Sequence, residues 1–579
     1  MQYLPRDFKQ AAPGGNMTLR EITSFLAQLS RPHVSALMAL AAGSIAAPAA
    51  AQSLTTDGCA ALTAPIAASA LGLPSGSAEI DSAAFSAPAP LAIAERAPTP
   101  ASRISPATPA YCKILGHILP VDPAAPPIRF EVNLPAQWNG RAVQYGGGGF
   151  NGVLITGLGL PPAARFDESS PLARGYVTYG TDSGHQAAPG QPVQAFALND
   201  EAFVNFSHAA YKKVRDVAVA LMQRAYGKAP EKLYFMGSSE GGREALTMAQ
   251  RYPDDFDGIF ARVPVIDWTG LQHAGTRDGL ATMGEAWLRP AQVKLVGDAV
   301  LAACGPVDGI VEDAPDCRTK FDPAKLQCAT GQTGDDCLSP AQVAAVNTLH
   351  SPYRFSFPLA NGVVEYPGWG VSGEATPANG PTGGWSAWWL GAEPPTLPPA
   401  PHNGIAWVFG SGGMQYVFAR DPHLDGARYR PEDYADRVRA VSALMDSTNP
   451  DLSAFAAHGG KLIMLEHMSD YAQSPYAGIG YFESVEARLG KENTRGFARL
   501  FTAPGVDHVG SGAPANVDML AALADWVERG KAPEGLVLVE QRIEPSFPVI
   551  RARPLCDWPQ WPHYKGGDVK QAGSFACEP

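Results

Sequence analysis

Residues 233–246, Leu-Tyr-Phe-Met-Gly-Ser-Ser-Glu-Gly-Gly-Arg-Glu-Ala-Leu, decide how the rest of the chain is read. The apolar run 233–236 predicts a buried strand and Glu240 to Arg251 a helix, with Gly237-Ser238-Ser239-Glu240-Gly241 as the turn between them. A strand-to-helix turn this short holds its central serine in a strained backbone. The flanking glycines remove the Cβ atoms that would strike neighbouring backbone, so the hydroxyl faces outward. Ser239 is therefore the candidate nucleophile. Taken alone, the five residues also fit a turn that merely caps a helix; the flanking strand and helix argue against that.

Outward from this turn the pattern alternates. Upstream, Ile128 to Leu134, Ala142 to Tyr145 and Gly175 to Gly180 read as strands, and Ala202 to Tyr226 carries apolar residues at helical spacing. Downstream, Lys461 to Glu466 and Ala498 to Thr502 read as strands, with helices near 479–489 and over Val517 to Arg529. Strand and helix in alternation predict a mostly parallel sheet covered on both faces, an α/β class fold. Residues 268–452 break the rhythm: they are loop-rich, hold four cysteines and cluster tryptophan at 385, 388 and 389. We read them as an inserted lid between a first part, 52–267, and a second part, 453–579. Residues 52–110, rich in Ala, Pro and Ser, read as an irregular segment tied down by Cys59.

A serine hydroxyl needs a base, and the base needs an orienting acid; in the α/β-hydrolase arrangement they follow in the order Ser, Asp/Glu, His. Asp470 lies a few residues beyond the strand 461–466, and His508 lies in the loop Pro504-Gly-Val-Asp-His-Val-Gly after the next strand. Asp507 adjoins the histidine too closely to reach its ring, Glu466 is still within a strand, and His467 precedes the acid. For the oxyanion of acyl transfer, the backbone N–H of Glu240 is one expected donor. Gly148 or Gly149, in Gly146-Gly-Gly-Gly149-Phe150-Asn151-Gly152, is the other. No cofactor is required for this chemistry.

The formal charge of -12, with no stretch gathering Lys and Arg, leaves a nucleic-acid role without an electrostatic footprint. Arg20 and Arg31 precede the small apolar run Val34 to Ala50, which reads as a signal peptide within residues 1–51. No later stretch is long enough for a bilayer crossing. Met17 is an alternative start. Export suits the eight cysteines. Their simplest pairing by proximity is Cys59–Cys112, Cys304–Cys317, Cys328–Cys337 and Cys556–Cys577, one of about 105 connectivities. Short Cys pairs of zinc-site spacing are absent. Two alternatives remain: a secreted serine peptidase or amidase, and a non-catalytic binding protein on a hydrolase scaffold.

Several stretches together resemble the tannase and feruloyl esterase family, which includes mono(2-hydroxyethyl) terephthalate hydrolases. They are Gly237 to Leu246, Ala249-Gln-Arg-Tyr-Pro-Asp-Asp-Phe-Asp-Gly258, Gly384-Trp-Ser-Ala-Trp-Trp-Leu-Gly391, Phe497-Ala-Arg-Leu-Phe501, Trp526-Val-Glu-Arg-Gly530, and Arg553-Pro-Leu-Cys556 to Cys577. The resemblance implies an α/β-hydrolase domain with a large lid, a small aromatic ester as substrate, and Ser239, Asp470 and His508 as the triad. It also implies a lid tryptophan stacked on the substrate ring, best matched by Trp407, with Tyr416 and Phe418 as neighbours. Two departures stand out. The family's cysteines before the nucleophile and after the histidine are Ser238 and Val509 here, which leaves the triad held by packing alone. The family's lid calcium loop is shortened to Cys304-Gly-Pro-Val-Asp308-Gly-Ile310, leaving Asp308 and the Ile310 carbonyl as ligands, with Glu312, Asp313 or water to complete the shell. The arginine expected before the lid aromatic to bind a terephthalate carboxylate is also missing, and Arg420 is the available substitute.

Overall fold

The computed structural model describes residues 53–97, 99–374 and 384–579, so the signal-peptide reading of residues 1–51 lies outside the described residues. Ten strands form one sheet: β1 (Ala78–Ser86), β2 (Tyr111–Ile118), β3 (Ile128–Pro135), β4 (Arg141–Tyr145), β5 (Val177–Thr181), β6 (Lys232–Ser238), β7 (Gly258–Arg262), β8 (Lys461–His467), β9 (Ala498–Ala503) and β10 (Cys556–Asp557). Their spatial order is β1-β2-β3-β5-β4-β6-β7-β8-β9-β10. From β5 to β9 every neighbour is parallel, and the two margins are antiparallel. Parallel pairing requires crossovers; the helices α1 (Ala210–Tyr226), α2 (Glu240–Arg251) and α5 (Pro475–Leu489) lie in them, and α6 (Met519–Arg529), after β9, covers the opposite face.

Because side chains alternate across a strand, each central strand feeds two cores. In β6, Leu233 and Phe235 join the cluster packed under α1, α2 and α5. Tyr234 and Met236 point the other way, to Leu520, Leu523 and Trp526 of α6. This is the α/β-hydrolase fold. All the parallel strands end on one edge, so the loops after β4, β6, β7, β8 and β9 meet there.

The segment read as irregular contains β1, which pairs with β2 through a bulge between Ile80 and Ser82. Its face is only partly buried and its residues are small, so it lacks the alternation that marks a strand in sequence. Between β7 and β8 the chain contributes no strand to the large sheet. It contains α3 (Trp268–Ala281), α4 (Ile405–Gly412) and a core around Trp369, Trp385 and Trp389. The four disulfides pair neighbouring cysteines, 59–112, 304–317, 328–337 and 556–577. No described helix is long and apolar enough to cross a membrane.

Candidate active site

Ser239 follows the last residue of β6 with φ 61° and ψ -124°, a conformation that strains any residue with a side chain. Its N–H donates to Arg262 O at 3.0 Å, and its carbonyl accepts from Gly242 and Arg243 N–H, which fixes the turn at both ends. The neighbouring glycines allow backbone-to-backbone approach. A Cβ at Gly237 would lie 1.9 Å from Gly241 O, and one at Gly241 would lie 2.6 Å from Gly147 O.

The loops after β8 and β9 complete a relay. His508 Nε2 stands 2.9 Å from Ser239 Oγ, and His508 Nδ1 stands 2.7 Å from Asp470 Oδ2. With the carboxylate as acceptor, the ring carries its proton on Nδ1 and leaves Nε2 free to accept from the serine hydroxyl. Asp470 is buried and also accepts from the N–H groups of Ala472 at 2.7 Å and Gln473 at 3.0 Å, so its carboxylate has one orientation.

The rival residues have other partners. Glu466 is buried against α5, accepts from Gln473 Nε2 at 2.8 Å, and burial pushes its carboxyl well above the usual range. His467 Nδ1 donates to Asp507 O at 2.6 Å, bracing the loop that carries His508, and burial keeps its ring neutral. Asp507 Oδ1 accepts from Val509 and Ser511 N–H within the same loop.

The glycine run lies directly on the elbow. Its N–H groups differ in use: Gly147 donates to Glu244 Oε2 at 2.9 Å and Gly148 to Asn151 Oδ1 at 2.6 Å. Gly148 is thus withdrawn as an oxyanion donor. Asn151 closes the loop by donating to Glu244 Oε1 at 2.6 Å. Among the described residues the N–H groups of Gly149, at φ +58°, and Glu240, at the α2 N-terminus, have no acceptor. Glu244 and Asn151 are functional supports that the sequence reading missed. Their signal was an acid one turn into α2 facing an amide two residues beyond the glycines. The Glu240 side chain points away from the site to Arg243 at 2.6 Å, and Arg243 also donates to the carbonyls of Ser207 and Met445.

The aromatic assignments need correction. Trp407 is fully buried, donates Nε1–H to Thr396 O at 3.0 Å, and packs where Gly279 of α3 has no side chain. Phe418 is buried against Trp268 and His273, and Tyr416 is half-buried with no ring contact to the aromatics around His508 among the described residues. Two residues along a helix turn the side chain by roughly 200°, so when Trp407 faces α3, Phe409 faces the cleft. The Phe409 ring lies 3.9 Å from where a Cβ on Gly149 would be and meets Phe150 edge-on at 4.9 Å. Trp388 and Tyr471 each place a ring centroid 6.2 Å from that of His508. Trp388 sits in the tryptophan cluster noted in the sequence, but helical phase inside an insertion is not legible without its partners.

The shortened loop does not fit calcium. Arg551 Nη1 donates to Asp308 O at 3.1 Å and lies 3.4 Å from Asp308 Oδ2. Arg553 Nε donates to Glu312 Oε1 at 3.1 Å, and the Ile310 carbonyl accepts from Val307 N–H at 2.9 Å. Two guanidinium groups therefore supply the positive charge to Asp308 and Glu312, and the Ile310 carbonyl is taken up by Val307 N–H. Asp313 caps the helix Ala314–Lys320. Arg420 is also engaged, with Asp200 and Leu198 O. Nor is the triad frame held by packing alone: Arg262 Nε donates to Ser238 Oγ at 2.8 Å, joining the ends of β6 and β7 beneath the histidine loop.

An α/β-hydrolase sheet whose strand-end loops bring serine, histidine and aspartate into one chain of hydrogen bonds defines a class, and comparison with known proteins narrows it. Residues 112–578 match the family model described as tannase and feruloyl esterase. An uncharacterised esterase of Agrobacterium fabrum is 37% identical, over 81% of this chain and 85% of that protein. The mono(2-hydroxyethyl) terephthalate hydrolase of Piscinibacter sakaiensis is 32% identical, over 83% and 86%. The crystal structure of feruloyl esterase B from Aspergillus oryzae superposes with a TM-score of 0.71 at 23% identity, covering 90% of this chain and all of that one. The chain belongs to the tannase and feruloyl esterase family and is an esterase.

Proposed function

We propose that the protein is an exported serine esterase that hydrolyses esters of aromatic carboxylic acids through an acyl-enzyme. The observation that carries this reading is the continuous relay Ser239 Oγ, His508, Asp470, with both contacts under 3 Å. Ser239 Oγ attacks the ester carbonyl carbon as His508 Nε2 takes its proton. The oxyanion that forms is met by the N–H groups of Gly149 and Glu240, each such donor contributing roughly 3–4 kcal/mol. When the tetrahedral species collapses, the C–O bond to the alcohol breaks and the imidazolium returns its proton to the leaving oxygen. Water then attacks the acyl-enzyme with His508 again as base, releasing the acid and restoring the serine. No step requires a bound cofactor.

Trp388 and Phe409, half-buried beside His508 and Gly149, support an aromatic acyl group, since ring faces and edges discriminate flat substituents from alkyl chains. Export is supported by the apolar run before residue 52 and by four disulfides, which persist in oxidising compartments. A fluorophosphonate probe tests the nucleophile: it should label the wild type and not Ser239→Ala. Ethyl cinnamate, methyl gallate and p-nitrophenyl benzoate should be turned over, and the matching anilides should not. Probe labelling absent from both proteins would leave a binding protein on a hydrolase scaffold; preferential anilide cleavage would make it an amidase.

A further inference from the structure

We propose that Arg262 makes the alcohol side of the cleft a carboxylate site, so that the preferred substrates are aromatic esters of a hydroxy acid. The inference rests on the serine-esterase reading above and names its substrate class. Arg262 ends β7 in register with Ser238, the residue before the nucleophile. Strand alternation sends Arg262 to the face that Phe260, Met236 and Leu465 occupy lower down, the face roofed by the histidine loop. The guanidinium therefore lies beside the serine turn and under the segment that carries His508.

Its contacts are few. Nε donates to Ser238 Oγ at 2.8 Å, and Nη1 lies 3.4 Å from where a Cβ on Gly510 would stand. Among the described residues neither Nη1 nor Nη2 has a hydrogen-bond acceptor, neither nitrogen is sealed from solvent, and no carboxylate comes within ion-pair distance. The acids near enough to interact by charge, Asp507 and Asp470, have their own partners in Ser511 N–H and His508. The arginines of the active-site surroundings described above differ: Arg243, Arg551 and Arg553 face acids, and Arg420 faces Asp200. A half-buried cation with no counter-ion is costly to keep. Its two free η nitrogens form the planar fork that matches a carboxylate with two parallel hydrogen bonds. Its deep setting lowers the guanidinium to about 10, so it is still a cation at neutral pH.

The side of the cleft follows from the neighbours. A substrate carbonyl oxygen directed at Gly149 and Glu240 N–H has the Phe409 ring next to it, and we assign that side to the acyl ring. His508 must face the leaving oxygen to protonate it, and Gly510, against which Arg262 lies, is two residues farther along the same loop. A carboxylate on the alcohol part therefore points toward Arg262, and one on the acyl ring points away.

The test compares matched esters: cinnamoyl esters of glycolate and 3-hydroxypropionate against ethyl and propyl cinnamate, with monomethyl and dimethyl terephthalate as the acyl-side pair. Ratios are taken between wild type and variant, so intrinsic leaving-group reactivity cancels. Arg262→Gln should lower kcat/KM for the carboxylated alcohol esters about 10-fold or more beyond its effect on their neutral partners, mainly through KM, and Arg262→Lys should recover part of that. With the wild type alone, added salt should raise KM for the carboxylated esters and not for the neutral ones, a result that needs no variant to fold. Equal losses on charged and neutral esters would overturn the proposal and leave Arg262 as a brace for Ser238. A selective loss on monomethyl terephthalate would overturn the assignment to the alcohol side. Failure of fluorophosphonate labelling in the wild type would instead remove the esterase reading beneath it.

Discussion

The cleft has two walls built on different physics. The wall formed by the strand ends is positioned through its backbone: Ser239, the glycine loop and the histidine loop are placed by main-chain hydrogen bonds, by glycines that let one backbone rest on another, and by side chains such as Glu244, Asn151, His467 and Asp507 that bond to main-chain groups. The wall formed by the insertion is positioned by side chains: Phe409 faces the site because Trp407 fills the space beside Gly279, and the loop at Asp308 takes its shape from two arginines. The first wall fixes the reacting atoms relative to one another. The second fixes a surface, and a surface tolerates substitution at the cost of stability or affinity instead of chemistry.

This division can be broken in graded ways. Ser239→Ala should cost the most, about 10^4- to 10^6-fold in kcat, because the remaining donors and binding surface supply only residual catalysis. Trp407→Ala should lower stability by about 3–5 kcal/mol, read by denaturant unfolding. Trp388→Ala should raise KM for aromatic esters with a much smaller change in stability. The reverse pattern would put the substrate against Trp407. Gly241→Ala forces a methyl group against Gly147 O and should cost about 10^2-fold in kcat at unchanged secondary structure by circular dichroism. Arg551→Met should destabilise by about 1.5–3 kcal/mol through the lost bonds to Asp308 and Gly512. EDTA should leave the wild-type melting temperature unchanged, and a drop on chelation would show that the loop holds a metal after all.

The same division explains what could be read from the chain. The elbow, the strands and helices around it, and the Ser, Asp, His succession are local patterns: an apolar run, a turn rich in glycine, a loop at a strand end. Each is dictated within a few residues, so Ser239, Asp470 and His508 stand together as read. What was not legible depends on partners distant in sequence. The phase of α4, which puts Phe409 and not Trp407 at the cleft, is set by a glycine more than a hundred residues earlier. Arg262 carries no signal in sequence, because the lack of a counter-ion shows only once the fold is formed. Gly148 and Gly149 could not be told apart, because only the Asn151 side chain makes them differ. Strand β1 escaped because edge pairing needs no apolar face.

Asp507 offers the finest probe of the backbone-built wall, because it puts an ionisable group inside it. Burial, with Asp470 close by, pushes this carboxyl up to about 6 against the opposing pull of the Ser511 N–H. Its Oδ1 holds the turn through Val509 and Ser511, while the buried Oδ2 has no partner among the described residues. A folded value above the ordinary 3.8 means that the native state binds the proton more tightly than the unfolded chain does. The associated stability is therefore complete below about pH 4 and is lost as pH rises through about 6. Asp507→Asn keeps the oxygen that accepts both N–H groups and removes the titration. Relative to wild type, the variant should gain about 2 kcal/mol between pH 4 and pH 7, measured by urea unfolding at each pH. Parallel curves would mean that the carboxylate is charged throughout that range.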